Sequence, residues 1–539
     1  MKNRLLRTFV VAATALATAG VAVAGPALAS PRPDPSVVRT ENGLLRGTVT
    51  DDVRVFQGVP YAAPPVGALR FGSPRPASDW KGVRDATKPS PACAQAGDFI
   101  GDKPSVVEDC LYANVTTPFD ASPKRKKPVM VWIHGGGFQW GSGAIYNADR
   151  LASKGDVVVV TFNYRLNVFG FLSHPALDGG VAKHKSGNLG VEDQQALLRW
   201  VRSNAASFGG DPRNVTIFGE SAGAQVSCTH LTAPGSRGLF DRVIMQSGPC
   251  TMNWPYGDWW RAKSRPEAEK IGLEVAKKAG CDDPATAAAC LRSKTPAELL
   301  KADNNEHGHG PAWGGGVIPN DPAKQLAAGR IAKVPVMHGI TRDEHVTFQV
   351  GMEIMTGGAI PPGAHPAVLG QFTGLGDAAF AKVVAKYPLS AYAGSTGAAM
   401  SAVLTDWAWA CPTVQTNKLL AKHTKTFAFE FADRTAPWFG DTAAPVYPTG
   451  AFHAGELQYL FGGAYAGAPL SPTQTKLSDA MISYWTAFAH DGDPNGPRTP
   501  YWPRYRATSD HVQALATGRR GIRSVDLAAE HNCSFWSAL

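Results

Sequence analysis

Ser221 lies between two glycines in TIFGESAGAQ, Thr216 to Gln225, and so fits the pattern GxSxG. With 57 glycines in 539 residues, chance alone supplies about 0.3 such matches, so the surroundings must decide whether this serine is a nucleophile. A serine hydroxyl attacks a carbonyl poorly, and the attack creates an oxyanion that needs backbone N–H donors aimed at the new charge. The stretch IHGGGFQWGSG, Ile133 to Gly143, can supply them. Its three consecutive glycines let the main chain approach a bound group without a Cβ in the way. It lacks the Lys and Ser/Thr of a nucleotide phosphate cradle. The N–H groups of Gly136, Gly137 and Ala222 together would make a three-donor oxyanion hole.

Such groups must be held by a rigid frame. Apolar, β-branched runs at Pro128 to Ile133, Asp156 to Phe162, Asn214 to Gly219 and Asp241 to Ser247 read as buried strands. Between them, Gly190 to Phe208 has helical spacing of Ala196, Leu197, Trp200 and Val201, with acids in its first turn. Strand and helix in alternation predict an α/β protein built on a mostly parallel sheet with helices on both faces. Ser221 then falls on a sharp strand-to-helix turn, where side chains at positions 219 and 223 would collide, and its hydroxyl sits at the positive end of a helix.

In order along the chain, these motifs resemble the type-B carboxylesterase and lipase family of the α/β-hydrolase fold, which also contains the cholinesterases. The resemblance covers almost the whole chain after its first residues. It runs from FQGVPYAAPPVGALRF (Phe56 to Phe71) and EDCLYANV (Glu108 to Val115) through the glycine loop and FNYRLNVFGFLS (Phe162 to Ser173). It continues in FGGDPRNVTIFGESAGA (Phe208 to Ala224) and YWTAFAHDGDPN (Tyr484 to Asn495). It implies a central, mostly parallel sheet flanked by helices, with large insertions around an active-site gorge. In this fold the catalytic residues follow the order serine, acid, histidine. His453 in GAFHAGELQYLFG matches the family's catalytic histidine, and Glu344 in GITRDEHVTF its acid. Asp343 is the rival acid. His345 stands where the family usually has glycine.

The expected reaction is hydrolysis of a carboxylic ester through an acyl-enzyme on Ser221, with His453 as base and acid and Glu344 fixing its tautomer. No cofactor or metal is required. Activity should rise with pH as the imidazole loses its proton, around its ordinary value of ~6.5.

Eight cysteines allow 105 pairings, and none shows a metal-ligand spacing. The close pairs Cys93 with Cys110 and Cys281 with Cys290 can each close a short loop. The resemblance implies these two bridges and a third, Cys411 with Cys533. Cys228 and Cys250, both near the turn that carries Ser221, are either a fourth bridge or two buried thiols.

Lys2, Arg4 and Arg7, the apolar run Phe9 to Ala24 and the small residues Ala27 and Ala29 read as a secretory signal peptide over residues 1–29, cleaved after Ala29. Cleavage after Ala24 would also serve. The run is too short to span a bilayer comfortably, so no stable membrane insertion is expected once it is removed. Residues 30–539 read as a single catalytic domain, because no linker, charge run or repeat divides them. Without the three leader cations, 50 Lys and Arg face 44 Asp and Glu, a formal +6. The only basic cluster, KRKK at Lys124 to Lys127, reads as a solvated turn, so no nucleic-acid partner is expected.

The expected partner is a small-molecule or lipid ester. The loop between Cys93 and Cys110 contains no Trp, which argues against a choline-selective cation–π site. Trp140 is the leading candidate to line a substrate pocket, ahead of Trp254, Trp259, Trp260 and Trp313. The same machinery would serve a lipase, thioesterase, lactonase or amidase. A catalytically silent adhesion protein is the reading from another class, opposed by retention of Ser221. Gly351 to Met400 shows no readable pattern, and oligomeric state is not legible.

Overall fold

Alternating side-chain directions divide the central strands between two cores. In the strand Lys127–Ile133, Val129, Val131 and Ile133 join one buried cluster, while Met130 and Trp132 join another on the opposite face. Ile217 and Phe218 on the neighbouring strand are split in the same way. A strand apolar on both faces belongs inside a sheet covered by helices on both sides.

The computed structural model describes residues 34–98, 100–179, 185–252, 261–304, 308–462 and 467–539. Among these, an eleven-stranded sheet runs from one edge as Arg523–Val525, Val512–Leu515, Thr426–Phe431, Val336–Thr341, Arg242–Gln246, Gly210–Glu220, Lys127–Ile133, Val158–Phe162, Tyr112–Pro118, Val53–Pro60 and Thr48–Val49. The strands from Val512–Leu515 to Val158–Phe162 are all parallel. Antiparallel pairs close both edges. Residues Pro35–Leu539 form one compact unit. The signal-peptide reading lies outside the described residues.

The four strands read from sequence are present, with ends shifted by at most four residues. The helix expected over 190–208 is α-helical from Leu189 to Asn204 and tightens to a 3-10 turn over Ala205–Phe208. Gly209, in the left-handed region, stops it. Gly351 to Met400, unreadable from sequence, holds the end of the helix Val346–Thr356 and the helices His365–Thr373, Asp377–Lys386 and most of Thr396–Leu404. These belong to the long insertion between the strands Val336–Thr341 and Thr426–Phe431. A π-helical segment, Thr405–Ala410, follows and continues into the helix Cys411–His423.

KRKK is only partly a solvated turn. Lys124, Arg125 and Lys126 are exposed, but Lys127 begins a strand, is buried, and pairs with Asp156 at 2.6 Å. Its ammonium is paired with that carboxylate, which offsets part of the cost of burial. All eight cysteines are bridged: Cys93–Cys110, Cys228–Cys250, Cys281–Cys290 and Cys411–Cys533. Among the described residues, no helix is long and apolar enough to cross a membrane.

Candidate active site

Ser221 occupies the step between the strand Gly210–Glu220 and the helix Ala222–Thr232, with φ 57° and ψ −123°. A non-glycine residue there is strained and must be held by its neighbours. Its N–H donates to Gln246 O at 2.9 Å on the adjacent strand. A Cβ on Gly223 would lie 1.9 Å from Ile133 O, so only glycine lets the helix pass this close to the strand Lys127–Ile133.

That strand leads directly into the glycine loop. Gly136 and Gly137 have φ of 84° and 59°, and Gly136 O accepts from Gln139 N at 2.9 Å and Trp140 N at 3.2 Å. The turn points its carbonyl inward and leaves the N–H groups of Gly136 and Gly137 without an acceptor among the described residues. Ala222 opens the helix and adds a third N–H. A Cβ on Gly135 would come within 3.0 Å of Ser221 Cβ, so the loop rests against the elbow.

Glu344 lies three residues beyond the strand Val336–Thr341 and is fully buried. Its Oε1 accepts from Thr341 N at 2.8 Å and its Oε2 meets His453 Nδ1 at 2.6 Å. Asp343, the rival acid, is occupied elsewhere. Arg434 donates to it at 2.9 and 2.6 Å, and Ala451 N at 2.8 Å. Asp343 also pairs with Phe452 as a β-bridge, which ties the loop of Glu344 to that of His453. Glu344 and His453 are thus joined directly, while the Ser221 hydroxyl stands outside their hydrogen-bond chain. Such bonds are commonly long until substrate binds.

Two carboxylates were missed by sequence reasoning. Glu220, immediately before Ser221, places Oε1 3.0 Å from His453 Nε2. The contact is close but out of line for a hydrogen bond, and that oxygen has no other partner, so the interaction is electrostatic. Glu456 is buried beside them, and its Oε1 accepts from Gln246 Nε2 at 2.9 Å. Gln246 Oε1 in turn accepts the Trp485 indole N–H at 2.9 Å. Burial raises the Glu220 carboxyl, opposed by His453. Burial and the nearby Glu220 push Glu456 up to about 8. Burial alone would lower His453, but Glu220 and Glu344 outweigh it and raise the imidazole to about 10. The sequence offered no signal for either residue beyond adjacency to Ser221 and His453, because burial of a carboxylate has no motif.

One wall of the site is aromatic. Phe348 and Trp409 each lie 4.8 Å, centroid to centroid, from the His453 ring. Trp140, Met252, Phe348 and Trp407 are half-buried around Trp409 and Ala408. Trp313 lies elsewhere, in a two-stranded ribbon with Lys263–Ser264, while Trp254, Trp259 and Trp260 fall outside the described residues. Among the described residues no cluster of His, Cys, Asp and Glu is arranged to hold a metal ion.

The carboxylesterase family model matches residues 34–536. The chain belongs to the carboxylesterase family. Liver carboxylesterase 1 of Oryctolagus cuniculus is 32% identical over 554 residues, spanning 94% of this chain and 93% of its own. Acylcarnitine hydrolase of Mus musculus is 33% identical over 509 residues, spanning 88% and 86%. Among solved structures, a PNB esterase superposes with a TM-score of 0.75 at 31% identity, covering 93% of this carboxylesterase and all of that chain. The fold is therefore that of the α/β-hydrolases, and the protein is a carboxylic ester hydrolase of the serine class.

Proposed function

We propose that this carboxylesterase cleaves esters through an acyl-enzyme on Ser221, with His453 as base and Glu344 as its orienting acid. The observation that carries the reading is the 2.6 Å bond from His453 Nδ1 to Glu344. It commits one ring nitrogen, so the proton exchanged at the elbow passes through Nε2, the nitrogen that also faces Glu220 at 3.0 Å. Ser221 Oγ attacks the ester carbonyl as its proton passes to Nε2, and the N–H groups of Gly136, Gly137 and Ala222 receive the oxyanion. Collapse expels the alkoxide, which leaves as the alcohol with the proton from Nε2. Water then attacks the acyl-enzyme by the same route and the acid departs.

The half-buried wall of Trp140, Phe348 and Trp407 suits an apolar acyl or alcohol group. Residues 1–29 act as a signal peptide and residues 30–539 as one catalytic domain in this reading. Four disulfides support export to an oxidising compartment. The test is labelling with an organophosphate followed by peptide mass analysis. One phosphoryl group on the peptide containing Ser221 is expected; labelling at another residue would overturn the assignment.

A further inference from the structure

The residue after Glu344 is His345, where the family resemblance leads one to expect glycine. Its side chain is fully buried. It joins the acid's turn to the π-helical segment Thr405–Ala410 at two points. His345 N donates to Thr405 Oγ1 at 2.9 Å, and the Trp409 indole N–H donates to His345 Nδ1 at 3.3 Å. Trp409 is itself 1% exposed, stacks at 18° on Phe348, and lies with Phe348 against His453. π-Helical turns inside helices are frequent at functional sites.

We propose that His345 is a positioning residue for His453: by accepting the Trp409 indole N–H it fixes the indole ring against the catalytic imidazole. The proposal rests on the reading of His453 as the base. Glycine at this position has no acceptor to offer, so a buried indole N–H would lose its partner. Burial and the neighbouring His453 push the His345 imidazole down to about 3, so it stays neutral, with its proton on Nε2 and its lone pair on Nδ1. An aromatic ring held 4.8 Å from the imidazole also favours the imidazolium that forms as Ser221 gives up its proton. Both effects act on a ring that moves charge during reaction, so the loss should fall on kcat and not on substrate binding.

The test uses steady-state hydrolysis of p-nitrophenyl acetate with thermal melting of every variant. His345→Leu removes the acceptor at similar volume and should lower kcat roughly tenfold, the scale of one buried hydrogen bond, with KM little changed. His345→Asn, whose Oδ1 falls near the place of Nδ1, should recover most of the loss. Trp409→Phe keeps a ring without the N–H and should lower kcat to a similar extent, and adding His345→Leu to it should cost little more. Wild-type kcat in His345→Leu, additive losses in the double variant, or equal defects in Leu and Asn variants that follow their melting temperatures would each overturn the proposal. If His345→Leu does not fold, Trp409→Phe against His345→Asn carries the comparison. Ser221→Ala and His453→Ala separate the two levels. If they are inactive while His345→Leu is unimpaired, only the positioning role fails; if they retain turnover, the reading of the site fails with it.

Discussion

Glu220 Oε1 stands 3.0 Å from His453 Nε2, on the side of the ring opposite the 2.6 Å bond to Glu344. One imidazole therefore sits between two buried carboxylates. Both favour its protonated form, which cannot act as a base. The rising limb of kcat/KM against pH should lie above the ordinary imidazole value of ~6.5, a correction to the simple expectation from sequence. Glu220→Gln removes one anion and releases the proton more easily. Its limb should move to lower pH by about 1 pH unit or more. A limb that stays in place or moves upward would show that Glu220 does not act on His453.

The elbow and the glycine loop were legible because each depends on residue types at fixed spacing, whereas Glu344 and His453 are named only through the family resemblance. Gly223 is read from a pattern because no Cβ fits 1.9 Å from Ile133 O. Glu220 and Glu456 were not legible, since their roles depend on how deeply neighbouring strands bury them. The helices of Gly351 to Met400 escaped because their glycines and alanines carry little periodic contrast, although Met352, Leu369, Val383, Met400 and Leu404 pack into one cluster. The resemblance already favours Glu344 over Asp343, but that Arg434 and Ala451 N occupy the Asp343 carboxylate is something no local pattern announces.

His531 offers a stability test away from the reaction. Its Nδ1 meets Asp406 at 2.7 Å and its Nε2 meets Glu430 at 3.0 Å, all three buried. Burial would lower this imidazole, but the two carboxylates raise it to about 10. A raised folded value means that the stabilisation is complete below ~6.5 and fades as pH climbs toward 10. His531→Gln should be less stable than wild type by about 3 kcal/mol at pH 6, with the difference shrinking by pH 10. Urea unfolding at several pH values measures this; a difference that is constant with pH would contradict the charge assignment.

The bridge Cys411–Cys533 closes 122 residues and ties the C-terminal helix to the segment that carries Trp409. Replacing both cysteines with serine should cost about 4 kcal/mol, mainly through a less constrained unfolded chain. Chemical denaturation of the double variant checks the value. An unchanged midpoint would mean that the unfolded chain is not restrained by this link.

The glycine loop makes a separate prediction. A Cβ on Gly136 would lie 2.2 Å from Trp140 O, so Gly136→Ala must shift the turn that presents the N–H groups. Its kcat should fall about 10²-fold or more while the protein still folds. Near-normal kcat in a folded variant would remove Gly136 from the oxyanion hole.

The most direct measurement is the pre-steady-state release of p-nitrophenol from p-nitrophenyl acetate by the wild type and by Ser221→Ala. A burst equal to the enzyme concentration in the wild type, and no burst and no turnover above background in the variant, is the expected result. A Ser221→Ala variant that retained the burst would place the nucleophile elsewhere and contradict the account at its centre.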